Sequence, residues 1–307
     1  TPLSVINAGG KVEFVDCNKE DLCMSYDDFK NKAEKFNPKA VWVVHIGGHI
    51  AFDIQKIADY CKKNNIWLLE DCAHSHGASW NGDMPGSWGD IGCFSFEEKK
   101  LMTTGDGGIL ATDNEELAEK MRKFASVGFK NVTATSGKVR ISRDKFQDPN
   151  YERHDTLAYN YRFPELCAAV GLAQCERIED FVKLRTQMAE GYIEILKESS
   201  LFIPQKVQNG YTNSYYTFAA RFLGTEYNIS WYDFRKKYME FGGDGIYAAH
   251  QLVYNEPCFR DKNIGFGNTP ESEKLQKQLM LFTTNQRNEE ERTTQIMAME
   301  KTLDYFK

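Results

Sequence analysis

The chain has 307 residues, 41% of them hydrophobic and 27% charged, which excludes a mostly disordered chain and allows one large domain or two moderate ones. Its 38 basic residues against 44 acidic ones leave a net charge of −6, so the basic footprint needed to bind a phosphate backbone is absent and no nucleic-acid partner is expected. No apolar run approaches the roughly 20 residues that span a bilayer, and the opening Thr1-Pro2-Leu3-Ser4-Val5-Ile6 lacks a basic leader segment, so neither membrane insertion nor a signal peptide is expected.

The first 125 residues alternate strand and helix signals. Lys11–Val15 predicts a short strand, and Tyr26–Phe36 a helix ending before Pro38. Ala40–Ile46 is an apolar, β-branched run that predicts a buried strand. Asp53 opens a helix to Lys63 with Ile54, Ile57, Ala58 and Cys61 on one face. Ile66–Leu69 is the next buried strand and stops at Glu70-Asp71. Short connections between such elements imply a largely parallel sheet covered by helices. Residues 77–90 predict a Gly-rich loop at the carboxyl edge of that sheet. Ile91–Phe96 and Gly108–Ala111 predict strands, and Glu115–Phe124 an amphipathic helix. Residues 129–156 read as a long polar loop. A helical pattern runs from Pro164 to Lys197, as one long helix or two joined end to end. It leads to a second unit with a strand near Tyr215–Phe222, a helix at Trp231–Phe241, a turn at Gly242–Gly245 and a final helix over Glu289–Tyr305.

The eight cysteines (Cys17, Cys23, Cys61, Cys72, Cys93, Cys167, Cys175, Cys258) are scattered with no CxxC pair. They read as free thiols in a reducing, cytoplasmic compartment.

Ligands of α/β sheets bind outside the carboxyl ends of the strands. Three segments fall there: Glu70-Asp71-Cys72-Ala73-His74, Phe94-Ser95-Phe96-Glu97-Glu98-Lys99-Lys100, and Thr103-Thr104-Gly105-Asp106-Gly107-Gly108. A carboxylate closing a buried strand, such as Asp71, needs a partner: a protonated ring nitrogen, Mg²⁺, or the amides of a following helix that it caps. Lys100 is either a pocket lysine able to form a Schiff base, with Lys99 lowering its pKa, or one of two solvated surface lysines. His45 and His49, then His74 and His76, offer a metal site with Asp71 or Cys72. The Gly47-Gly48 turn interrupts the first pair and no HExxH or Cys cluster accompanies them, so no metal is expected. The glycines at 105–108 follow neither Walker A nor GxGxxG spacing.

The run Leu69-Glu70-Asp71-Cys72-Ala73-His74-Ser75-His76-Gly77-Ala78 resembles the EDxAxxxGA motif of the DegT/DnrJ/EryC1/StrS sugar aminotransferases. Gly89-Asp90-Ile91-Gly92-Cys93-Phe94-Ser95-Phe96, Lys100 and Thr103–Gly108 resemble its GDIGCFSF…K…TTGEGG, with Asp106 in place of the usual Glu. Tyr159-Asn160-Tyr161-Arg162, followed by Glu165 and Ala168-Ala169, resembles its NYRM…AA motif. The resemblance covers nearly the whole chain. It implies the aspartate-aminotransferase-like type I fold: a pyridoxal 5′-phosphate (PLP)-binding large domain with a mostly parallel sheet over residues 1–182, and a smaller α+β domain over 183–307. It also implies a homodimer with shared active sites and a PLP-dependent transaminase. Such an enzyme converts a keto sugar, nucleotide-linked, to an amino sugar with an amino acid donor, glutamate in most of the family.

By the same resemblance, Lys100 stands at the Schiff-base lysine, five residues from both Ser95 and Gly105. Asp71 stands at the partner of the pyridine nitrogen, which keeps the ring an electron sink. His74 stands at the residue contacting the phenolic oxygen, Ala73 at a small residue against the ring face, and Ser95 at a phosphate ligand. Asn160 stands at the asparagine that reaches the phosphate of the neighbouring subunit. Tyr247 and His250 lie where the small domain approaches the sugar. Dehydratases of the family carry His where Lys100 stands, which speaks against a dehydratase; a non-catalytic partner protein of the same fold is the other alternative. The family's Gly-Thr phosphate-binding pair and ring-stacking aromatic lie upstream of these motifs and have no counterpart in residues 1–307.

Overall fold

The structure, a computed structural model, describes residues 1–135, 141–262, 264 and 269–307; of the loop expected over 129–156, residues 136–140 lie outside that set. After a short helix α1 (Pro2–Asn7), helix α2 (Tyr26–Phe36) carries Asp27 and Asp28 in its first turn, where the helix dipole favours them, and stops at Asn37 in the left-handed conformation. Strand β1 (Ala40–Val44), helix α3 (Ile54–Asn64) and strand β2 (Trp67–Asp71) make a parallel crossover, with Ile54, Ile57 and Cys61 of α3 turned inward. Strand β3 (Ser79–Trp80) precedes β4 (Ile91–Ser95), which is parallel to β2, and β5 (Gly108–Ala111), which is antiparallel to β4. The sheet order is β1-β2-β4-β5.

Helix α4 (Glu115–Ala125) is capped by the Asn114 side chain, which accepts from the Leu117 N–H. The short α5 (Arg143–Gln147) lies inside the long loop. The helical run from 164 to 197 is two helices, α6 (Glu165–Cys175) and α7 (Ile178–Leu196). The second unit holds β6 (Phe202–Pro204), β7 (Tyr211–Thr212), β8 (Phe218–Phe222), α8 (Trp231–Glu240), β9 (Ile246–Ala248), α9 (Pro257–Arg260), α10 (Pro270–Gln276), β10 (Leu279–Phe282) and α11 (Glu289–Tyr305). Its antiparallel sheet has the order β6-β8-β10-β9.

Two expected elements differ. Lys11–Val15 forms no strand. The Phe14 carbonyl is taken by the Lys32 ammonium at 2.8 Å rather than by a neighbouring strand, and the Phe14 ring packs edge-on against Tyr254. The strand expected from Tyr215 begins only at Phe218, because Tyr215 has φ 47° and the carbonyls of Tyr215 and Tyr216 are bonded to Arg185 instead of a strand.

The described residues form two hydrophobic cores. One gathers Phe29, Val41, Val43, Ile50, Ile54, Ile57 and Leu68 around the first sheet. The other gathers Met188, Tyr192, Phe218, Phe222, Phe234, Met280, Phe282 and Met299 around the second. Helix α7 serves both units: Ile178 and Val182 sit against Gly77, and Met188, Ala189, Tyr192 and Leu196 enter the second core. The β3–β7 ribbon also joins them, with Trp80 stacked on Tyr211 and Tyr211 on His49. All eight cysteines are free thiols, and among the described residues no helix is long and apolar enough to cross a membrane.

Strand alternation sends Glu70 of β2 to the face of Leu68, where it is fully buried. Its carboxylate accepts from His45 Nε2 at 2.9 Å and from the backbone N–H groups of Gly86, Trp88 and Gly89. Burial works to raise its pKa, but the His45 bond and these amides outweigh it and hold the group below the usual carboxylate range. Glu70→Ala removes the acceptor of the buried His45 donor and of three half-buried backbone N–H groups, at about 1–3 kcal/mol for each donor that stays without a partner. Urea unfolding is expected to show a loss of at least about 3 kcal/mol; a loss under about 1 kcal/mol would mean that water replaces the carboxylate.

Burial holds three histidines neutral: His49 at about 3, and His74 and His76 at about 4, the latter two also opposed by the Lys100 charge. The unfolded chain protonates them near 6.5, so their contribution is full above that pH and is lost as pH falls toward 4. Asp21, pushed up by burial to about 6, works the other way by taking up a proton in the folded state. The net difference of roughly two protons predicts a stability loss of about 2–3 kcal/mol per pH unit between pH 6 and 5. His76→Phe should flatten that slope by about one proton, measured by urea unfolding across the window.

Candidate active site

The carboxyl ends of β2 and β4 carry the chemistry-bearing segments to one place. Asp71 closes β2 on the face opposite Glu70. Its Oδ1 accepts the Ala73 N–H at 3.1 Å and its Oδ2 accepts the Thr1 hydroxyl at 2.6 Å. The segment after Asp71 is a turn rather than a helix, so the carboxylate braces the Ala73 amide of a tight turn and caps no helix. His74 leaves that turn half-buried, with its Nδ1 buried and unpartnered.

Ser95 ends β4, in register with Gly108, and its Oγ accepts the Glu97 N–H at 3.4 Å. The chain then turns back on itself, with Phe96 bonded through its amide to the Gly107 carbonyl and through its carbonyl to the Thr104 amide. Within this loop the Lys100 N–H donates to the Glu97 carbonyl at 2.9 Å. The structure separates the two lysines: Lys99 is exposed and Lys100 is half-buried, with its ammonium 5.1 Å from the centre of the Tyr216 ring. The same ring stacks on His74, centroids 4.2 Å apart and planes 19° from parallel.

His74 reports the convergence. Burial is the first cause of its low pKa of about 4, the charge of Lys100 adds to it, Asp71 opposes it, and His76 and His250 add further. At neutral pH its ring is therefore uncharged and offers one donor and one acceptor nitrogen. Lys100 and His74 thus meet on one ring, Asp71 and Ala73 share the turn that carries His74, and His250 acts on His74 electrostatically. Tyr247 is not gathered in: it is exposed on edge strand β9 and, among the described residues, makes no hydrogen bond or ring contact to the cluster. Asn160 stands apart as well, exposed and paired by its backbone with Ser126.

His45, Glu70 and Cys72 bring possible ligand atoms within 4.8 Å of one another. Both His45 nitrogens are engaged, Nδ1 by the Ala51 N–H and Nε2 by Glu70, and burial pushes the Cys72 thiol far above its ordinary range. Its hydrogen bonds account for this trio.

Sequence reasoning did not single out Tyr216 or Arg185. Tyr216 lies in an aromatic pair read as the start of a strand, and no spacing signal ties it to residues 74 or 100.

Residues 1–299 match the model of the DegT/DnrJ/EryC1/StrS aminotransferase family. The GDP-perosamine synthases of Vibrio cholerae and Escherichia coli O157:H7 are 34% identical over 213 residues and 32% identical over 210, covering 69% and 65% of this chain and 53% and 52% of their own. The chain therefore spans about half the length of these curated relatives. An aminotransferase from Psychrobacter cryohalolentis shares the fold at TM-score 0.88 and 23% identity, over 99% of this chain and 78% of its own. The aminotransferase TlmJ from Streptoalloteichus hindustanus does so at TM-score 0.82 and 24% identity, over 99% and 76%. The likeness to these structures shows the expected α/β architecture of the type I class. With the family model matched from the first residue to residue 299, the chain belongs to the DegT/DnrJ/EryC1/StrS aminotransferase family.

Proposed function

We propose that the chain carries the catalytic apparatus of a PLP-dependent aminotransferase that makes an amino sugar from a nucleotide-linked keto sugar, with glutamate as the amino donor. The observation that carries the reading is the convergence of a half-buried lysine, a strand-end carboxylate and an uncharged histidine on one another at the carboxyl edge of the sheet. Relatives named GDP-perosamine synthase and dTDP-4-dehydro-2,3,6-trideoxy-D-glucose 4-aminotransferase support the substrate class. We assign residues 1–182 to the cofactor-binding domain and 183–307 to the small domain, dividing α7 between the two units that its ends touch.

The donor set fits PLP. His74 has a buried ring nitrogen without a partner, Ser95 holds a hydroxyl whose proton is uncommitted among the described residues, and the Lys100 ammonium lies over the Tyr216 ring. When bound, PLP supplies an aldehyde that captures amines and a ring that withdraws electrons from the bonds at the reacting carbon. Lys100 Nζ would hold that aldehyde and, once released, would carry the proton from the donor Cα to the former aldehyde carbon of the cofactor, which keeps the amine. Asp71 would hold a proton on the ring nitrogen through a charge-assisted hydrogen bond. His74 would donate toward the phenolic oxygen, Ala73 would leave room for a flat ring, and Ser95 Oγ would donate to the phosphate. His250, and at lower proximity Tyr247, are the sugar contacts offered by the small domain.

The assembly we propose is a homodimer. Helix α6 buries none of its residues although its sequence is mostly apolar; Leu166 is 84% exposed, and Leu157 beside it in the chain is 99% exposed. A surface of this kind calls for a cover. Asn160 lies between exposed Tyr159 and Tyr161 on the segment leading into α6, so a second copy docked there would receive it into its own phosphate site.

Borohydride reduction of the PLP-treated protein followed by peptide mapping is expected to find the pyridoxyl group on Lys100, and Lys100→Ala is expected to abolish turnover. A label on exposed Lys99 would reject the assignment. Mixing inactive Lys100→Ala chains with inactive Asn160→Ala chains should restore activity, because the first chain lends its Asn160 to the site holding the second chain's Lys100. An active, PLP-loaded monomer in sedimentation would reject the shared site.

A further inference from the structure

Tyr216 is half-buried and, unlike neighbouring Tyr215, does not pack on the second hydrophobic core. Its ring instead faces two polar side chains, stacking on His74 at 4.2 Å and lying 5.1 Å from the Lys100 ammonium. The backbone that presents this ring is held from three directions. The Ser214 N–H donates to the Gly48 carbonyl at 2.9 Å, and the Thr217 N–H to the Gly47 carbonyl at 3.3 Å. Arg185 of α7 donates to the Tyr216 carbonyl at 3.0 Å and to Thr284 Oγ1 at 2.8 Å, and that hydroxyl donates to the Tyr215 carbonyl at 2.6 Å. Thr217 Oγ1 donates to the Phe282 carbonyl of β10 at 3.0 Å. Tyr215 is kept at φ 47°, a conformation that an L-residue holds only when its surroundings over-determine it. Gly48 permits the close approach: a Cβ there would lie 2.5 Å from the Tyr215 nitrogen and 2.7 Å from that of Tyr216.

We infer that Tyr216 is a positioning residue of the site, whose ring sets the orientation of His74 by face-to-face stacking and seats the Lys100 side chain by cation–π attraction. The inference rests on the reading of Lys100 as the reactive amine. Stacking on its face leaves the His74 edge, with its unpartnered Nδ1, to meet a ligand. The ring's negative face attracts the Lys100 ammonium and limits where its flexible stem points. The other charged or titratable groups around the pair are Asp71 from β2, His76 from the following turn, Glu97 from the loop of Lys100 itself, Arg185 from α7 and His250 from beyond β9. Removing only the Tyr216 ring leaves all of these in place.

The test uses the full chain without added cofactor, in wild-type, Tyr216→Phe and Tyr216→Leu forms. The rate at which trinitrobenzenesulfonate modifies Lys100 at one fixed pH, followed by peptide mapping, reports how firmly that side chain is held against the ring. The ring-proton NMR resonances of His74 report stacking through the ring-current shift. Tyr216→Leu is expected to raise the Lys100 modification rate about two- to fivefold and to abolish the upfield shift of His74, whereas Tyr216→Phe keeps both near wild type. A merely structural tyrosine would move neither in a variant that still folds, so an unchanged Lys100 modification rate and unchanged His74 resonances in folded Tyr216→Leu overturn the inference. Should Tyr216→Leu fail to fold, Tyr216→Phe decides: loss of either signature there overturns a role carried by the ring. Failure of the borohydride label to reach Lys100 would instead reject the underlying reading of the site, and the two failures are told apart because these readouts need no cofactor.

Discussion

The buried carboxylate of Glu70 is the constraint on which the active edge of the sheet depends. It lies on the inner face of β2 and gathers three backbone amides of the 86–89 loop and the imidazole of His45. An ionised group in this position would be prohibitively costly without such partners. With them, it ties β2 to the segment leading into β4 and to the residue following β1. Because neighbouring strand residues face opposite ways, burying Glu70 obliges Asp71 to face the other side. The catalytic carboxylate we assign is thus aimed by the structural one beside it.

A second constraint is the passage of residues 211–217 between the two units. Tyr211 joins the stack of Trp80 and His49, Ser214 and Thr217 bond to the Gly47-Gly48 turn, and Arg185 takes the Tyr216 carbonyl. Arg185 is half-buried, and the loss of solvent lowers its pKa; it uses its charge on carbonyl and hydroxyl oxygens. The segment belongs to the second unit in sequence and reaches the first unit's site in space. Each unit has its own core, yet the candidate site is assembled from both.

The neutral histidines follow from the same packing. His76 sits among Phe94 and Phe96, and His49 between Phe52 and Tyr211, with no ring nitrogen of either paired. A charged imidazole in such surroundings is strongly disfavoured. Around Lys100 and His74, this leaves few fixed positive charges and a lysine whose surroundings are aromatic.

Local patterning determined much of this protein. The apolar runs at 40–46 and 66–69, the one-sided apolar face of 53–63, the glycines of 105–108 and the spacing of Lys100 from Ser95 carry their structure within a few residues, and the structure has the strands 40–44 and 67–71 and the helix 54–64 at those places to within two residues. Asp71, His74 and Lys100 were legible as members of one edge because strand ends and their following turns are local features. Contacts between segments far apart decided the rest. Lys11–Val15 has strand-like composition but no strand to pair with, and composition carries no information about pairing. Tyr216 is separated by more than a hundred residues from both His74 and Lys100, so no periodicity could connect them. That Lys100 rather than Lys99 turns inward agrees with the motif spacing, but its setting over an aromatic ring, and the low pKa that burial imposes on His74, exist only once β2, β4 and the 211–217 segment have closed on one another.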